Sequence, residues 1–189
     1  MAILSLARRN KSLLWASFGT FLLGTIVAIF SLYHFSDTQN TSYVNEMFTP
    51  GNDHLTTIML IQRNGLVLLY LLFGSIFLGS ITVLNLFTNG LIFGAATASA
   101  FQYYSITKAM ALIIPHALFE LPAMWIAGAA GFKIPCELIR YITNKKEYFL
   151  NRNEITDFLL LAGTSFALVV VAAFIEANVT QKIAEILFA

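Results

Sequence analysis

Long apolar runs alternate with short polar stretches along most of the chain. A run of about 20 apolar residues can cross a bilayer as a helix, because a helix satisfies its own backbone hydrogen bonds where no water is present. The pattern predicts five spans, at Leu13–Tyr33, Gly65–Leu84, Asn89–Tyr104, Ala109–Ala130 and Phe158–Asn178. Together they make residues 1–189 one all-α transmembrane helix bundle. The third run is short for a full crossing. The stretch NLFTNG joining it to the second is tight, and its Asn89-Gly90 is a turn dipeptide. Spans two and three therefore read as a hairpin, with a re-entrant third segment as the alternative.

Two mixed stretches flank these runs. LTTIMLIQRN (residues 55–64) reads either as an interfacial helix or as the first turns of the second span. The segment from Phe132 to Phe158 sets Leu138, Ile139, Tyr141 and Ile142 among charges. That is the pattern of an amphipathic helix lying on a membrane surface.

Composition agrees with a membrane protein. Hydrophobic residues make up 58% of the chain and charged residues 11%, against about 25% charged in soluble domains. A net charge of +1 offers nothing to nucleic acid, so the lipid bilayer is the expected environment. The single cysteine, Cys136, cannot close an internal disulfide.

Charge also predicts orientation. Arg8, Arg9, Lys11, Lys133, Arg140, Lys145, Lys146 and Arg152 fall at the N-terminus or in the stretch 131–153, whereas the polar segment Ser36–Thr57 has no Lys or Arg. By the positive-inside rule the N-terminus and 131–153 are cytoplasmic and 36–57 is outside. Arg63, Lys108 and Lys182 remain on the outer side. A re-entrant third segment would put five of the inner cations outside, so the bias favours a true crossing. The first run exceeds the roughly 7–15 apolar residues of a signal peptide and lacks an A-x-A site, so it reads as a retained span. The expected location is the cytoplasmic (inner) membrane, crossed several times.

Small residues recur at helical spacing, Gly90-x-x-x-Gly94 in the third run and Ala123-x-x-x-Ala127-x-x-x-Gly131 in the fourth. Such faces let helix backbones approach closely in lipid. Packing within the bundle and homodimerisation both use them.

The candidate chemistry lies in His116 and Glu120, stacked one helical turn apart inside the fourth run, and in Glu176 near the end of the fifth. An ionisable group inside a span costs about 2.5–3.5 kcal/mol on insertion scales and marks a functional position by default. With the orientation above, all three sit in the outer half, beside Arg63 and Asn64 at the start of the second span. Pro115 and Pro122 flank the pair and favour a kinked, cavity-lining span. Three readings stay open: a hydrogen-bonded polar network fixing helix register, a site for a metal such as zinc on one imidazole and two carboxylates, and a proton or ligand relay. No phosphate loop, nucleophile elbow or cysteine cluster occurs, and no catalytic residue is assigned. His34 and His54 read as solvated loop residues. Trp15 and Tyr33 read as interface anchors, and Trp125 as packing.

The stretch PHALFELPAMWIAGAAGFKI resembles the family named after stage II sporulation protein M. NLFTNGLIFGAATA and AAFIEANVT are similar to two further segments of that family, so the likeness runs from about Asn64 to Thr180. It implies a polytopic α-helical membrane protein with Asn89, Gly90, Gly94, His116, Glu120 and Glu176 at motif positions. It also implies work beside envelope proteins or an ABC ATPase, in envelope remodelling, immunity or export; the buried polar residues themselves leave a transporter component or a metal-dependent intramembrane enzyme as alternatives. Asn89 thereby joins Arg63 and Asn64 as a polar-network candidate. One departure is Ala117, where the family has glycine after the histidine.

Overall fold

The computed structural model describes residues 2–35 and 56–188. The polar segment with Asp37, Glu46, Asp53 and His54 lies outside the described residues. The elements are α1 (Ala2–Arg9), α2 (Lys11–Phe35), α3 (Thr57–Phe73), α4 (Ser80–Tyr103), α5 (Ile106–Ile142), α6 (Arg152–Ile175), a π-helical turn (Glu176–Thr180) and α7 (Gln181–Phe188). Among the described residues, four helices are long and apolar enough to cross a membrane, over Lys11–His34, Ser80–Tyr103, Ile106–Ile142 and Arg152–Ile183; α3 is a shorter apolar helix. Large apolar side chains such as Leu69, Leu84, Leu118 and Leu159 stand more than half exposed. A water-soluble protein rarely leaves so much apolar surface uncovered, and lipid covers it here. Trp15 and Tyr33 project outward at 62% and 88% exposure, whereas Trp125 packs edge-on against Phe18 and Phe21.

The break between the second and third runs is not at Asn85–Gly90. α4 runs unbroken through that stretch, and Asn89 donates to the Asn85 carbonyl one turn back (2.9 Å). The chain reverses earlier, at 74–79. Gly79 and Leu78 both take positive φ there, and the Gly79 amide donates to the Gly74 carbonyl (2.8 Å). A side chain on Gly74 would collide with the Thr82 hydroxyl, which itself donates to the Leu71 carbonyl of α3 (2.9 Å). The short helix is accordingly α3 rather than the third run. Its 17 residues reach only about 26 Å at roughly 1.5 Å per residue. Residues 57–64 are the first turns of α3, not a separate interfacial helix. Residues 131–142 likewise continue α5, which passes through Pro115, Pro122 and Pro135 without ending.

Contacts at the glycines give the helix directions. Gly90 abuts Phe21 and Thr25, and Gly94 abuts Thr25 and Ala28, so α2 and α4 run the same way. Gly128 meets Leu86 while Gly131 meets Thr82, so α5 opposes α4. Asp157 pairs with Lys133 at one end and Thr180 reaches His116 at the other, so α6 opposes α5. Both small-residue faces are consumed inside the chain. Gly90 and Gly94 meet α2, Gly131 meets α3 and α4, and Ala123 and Ala127 are fully buried. A homodimer would need another surface.

α6 begins on a reciprocal cap. The Asn151 side chain accepts from the Glu154 amide (3.1 Å) and the Glu154 carboxylate accepts from the Asn151 amide (2.8 Å). Asn151→Ala is expected to cost about 1 kcal/mol, read as a lower midpoint in denaturant unfolding of the detergent-solubilised protein.

Candidate functional site

Four elements place polar side chains around one cavity of about 390 Å³. α3 contributes Arg63 and Asn64, α4 contributes Asn89, α5 contributes His116 and Glu120, and Glu176 stands at the start of the π turn. Apolar side chains, among them Leu68, Phe93 and Met124, form the rest of the wall. All six polar candidates therefore meet at one place. Ala117 is buried in the same wall.

Each contribution has a local cause. His116 and Glu120 share a face because four residues make about one helical turn. Asn89 was expected near the hairpin turn; the continuous α4 carries it to the cavity instead. Glu176 depends on the π turn, which widens the helix to an i→i+5 repeat, a feature frequent at functional sites. Through that turn the buried Thr180 reaches the His116 ring, its Oγ1 3.4 Å from Nδ1. Thr180 closes the AAFIEANVT stretch, but a hydroxyl at the end of an apolar run carries no signal of its own in the sequence.

The charges around the cavity are mixed. Glu176 and Arg63 act on Glu120 with opposite sign, yet among the described residues no ion pair within 4.0 Å joins Arg63 to either acid. Among the described residues, no group of three or more His, Cys, Asp or Glu side chains could hold a metal ion. The zinc reading of His116, Glu120 and Glu176 thus finds no ligand set in this geometry.

At the opposite end lies a second polar cluster, in which Arg9, Lys133, Arg140 and Lys146 find acidic partners. Asp157 accepts from Arg9 Nη2 (2.6 Å), Arg9 Nε (3.2 Å) and Asn10 Nδ2 (3.1 Å). Lys133 Nζ donates to Asn10 Oδ1 (2.8 Å) and stands 3.7 Å from Asp157 and 3.8 Å from Glu137. Glu137 also receives Arg140 and Lys146, and Lys146 pairs with Glu154. The signal was present as Lys133 and Glu137 one turn apart, directly after a run of small residues. Partial burial opposes the Lys146 charge, but hydrogen bonds to Glu154 and Glu137 outweigh it and raise its pKa above the ordinary lysine value. Its contribution to stability is therefore complete at neutral pH and is lost only as pH rises through that raised value.

Two Methanocaldococcus jannaschii proteins resemble this chain. The uncharacterized protein MJ0793 is 38% identical over 165 residues, covering 87% of this chain and 91% of the relative. The uncharacterized protein MJ0706 is 28% identical over 151 residues, covering 76% and 65%. No solved structure matches significantly. The family profile described as stage II sporulation protein M matches residues 17–181, which takes in every helix that lines the cavity. A match over that much of the chain makes this protein a member of the stage II sporulation protein M family.

Proposed function

We propose that the chain is a non-enzymatic integral membrane subunit of an envelope-remodelling, immunity or export complex in the cytoplasmic membrane. Its outer-half cavity takes a small polar ligand or a polar segment of a partner. The convergence of Arg63, Asn64, Asn89, His116, Glu120 and Glu176 on one cavity supports this reading. Polar groups in a span are expensive. A network serving only to fix helix register would close on itself, whereas these opposed charges flank an open volume without an ion pair between them. Arg63 suits an anionic group and the two carboxylates a cationic one, so a ligand bearing both is the best match.

A relay in a transporter component is the second reading, favoured by the contact between Thr180 and His116 and by Glu120 lying within electrostatic reach of Glu176. One experiment separates the readings. Glu120→Gln and His116→Ala are introduced into cells that depend on the protein, and the purified variants are melted in detergent. The expected result is activity reduced at least tenfold, with melting shifted by less than about 4 °C, roughly 1 kcal/mol for a chain this size. Full activity with a large drop in melting temperature would make the network structural only. Proton uptake by proteoliposomes, abolished in His116→Ala, would favour the relay.

A further inference from the structure

A second cavity, of about 400 Å³, lies at the opposite end of the bundle, between the start of α2 and the last turns of α5. Its wall carries three cations, Arg9, Lys133 and Arg140, against one acid, Glu137. The hydrogen bonds around it leave cationic donors to spare. Asp157 Oδ1 receives Arg9, and its Oδ2 receives Arg9 and Asn10. Glu137 Oε1 receives Arg140, and its Oε2 receives Lys146. Glu154 Oε1 receives Lys146, and its Oε2 receives the Asn151 amide. Every carboxylate oxygen of the cluster is thus engaged.

The donors are not exhausted. A guanidinium offers five N–H groups and an ammonium three. Arg9 uses two, and Arg140 uses one at 3.4 Å. Lys133 makes a single hydrogen bond, to Asn10, because both nearby acids stand beyond hydrogen-bond length. Its side chain is only 8% exposed, and its single hydrogen bond leaves two of the three ammonium donors able to meet a further acceptor. Ser12 and Leu13, in the first turn of the 25-residue α2, line the same wall. Four cations (Arg9, Lys133, Arg140, Lys146) face three acids (Glu137, Glu154, Asp157), which leaves one positive charge over.

We propose that this cavity binds a phosphate ester, its oxygens accepting from Lys133 in the floor and from Arg9 and Arg140 at the rim. The chemistry is that of a phosphodiester lipid headgroup or a soluble phosphate ester: acceptors only, with a negative charge that cancels the excess. The charge bias puts this end at the inner leaflet, where basic pockets between helices meet anionic headgroups.

The test uses the full chain in detergent, titrated with dioleoylphosphatidylglycerol, with glycerol phosphate, or with a neutral galactolipid, and read as the shift in melting temperature. Saturable stabilisation by phosphatidylglycerol alone assigns a lipid headgroup. Equal stabilisation by glycerol phosphate assigns a soluble ester. Either result supports the site, provided Arg140→Gln raises the titration midpoint roughly tenfold, the loss of one charge-assisted hydrogen bond, and Lys133→Met abolishes saturation. Arg140 is 59% exposed at the side chain, so its substitution reports even if Lys133→Met does not fold. An unchanged midpoint in Arg140→Gln, or equal protection by the galactolipid, overturns the proposal.

Discussion

Asp157→Asn is expected to destabilise the protein by about 3 kcal/mol, the lower end of the cost of removing one partner of a buried ion pair. Asp157 is 4% exposed and gathers Arg9 from α1, Asn10 from the junction after it and Lys133 from α5. An amide in its place cannot balance Lys133, which is buried and keeps only Glu137, 3.8 Å away, as its other counter-charge. The loss stays at the lower end because Arg9, 53% exposed at the side chain, can turn to water. For the same reason Arg9→Gln should cost less than about 1 kcal/mol, as exposed pairs do. Denaturant unfolding of both variants in one detergent checks the contrast; equal costs would mean that Asp157 contributes no more than a surface acid.

Gly90→Ala should cost about 2–3 kcal/mol, the upper part of the roughly 1–3 kcal/mol range for a methyl group forced into a filled core. That is roughly 4–12 °C in melting temperature for a chain of this size. A methyl carbon on Gly90 would sit 2.1 Å from the Phe21 carbonyl oxygen, and one on Gly24 would sit 2.2 Å from that of Phe87. Both obstacles are backbone atoms that no rotamer change can move, so α2 and α4 must separate along their length. Gly19, on α2 like Gly24, has nothing within 4 Å of the added carbon. Gly19→Ala should be neutral or stabilising by up to about 1 kcal/mol, through helix propensity alone. Similar melting of Gly90→Ala and Gly19→Ala would show that the two helices do not pack through these glycines.

The two variants probe different kinds of legibility. The glycine face could be read directly, since Gly90 and Gly94 recur one turn apart in an apolar run and lipid rewards close backbone approach. What could not be read was the surface they meet. Nothing local distinguishes packing on α2 from packing on a second chain, and only the parallel run of α2 beside α4 decides it. The hairpin failed for a related reason. Asn-Gly suits a turn in water, but in α4 the Asn89 side chain bonds back to Asn85 and Gly90 serves a helix contact. The actual reversal hides between apolar residues, with Leu78 at φ +52° and Gly79 at φ +82°. Hydropathy runs through such a turn without a mark.

By itself the sequence determined the class of the protein, its set of apolar helices, and the identity of the polar residues that no bilayer would tolerate unsatisfied. Those properties follow from transfer free energies summed over runs of residues, which need no knowledge of neighbours. The tertiary structure alone decided which polar residues meet. It opened the end of α6 into a π turn that brings Thr180 to His116 and sets Glu176 in the same cavity wall. It also joined Arg9 and Asn10 to Asp157 across nearly 150 positions of chain. Pairing over such separations depends on helix direction, depth and rotation, which are set by packing among all the helices at once.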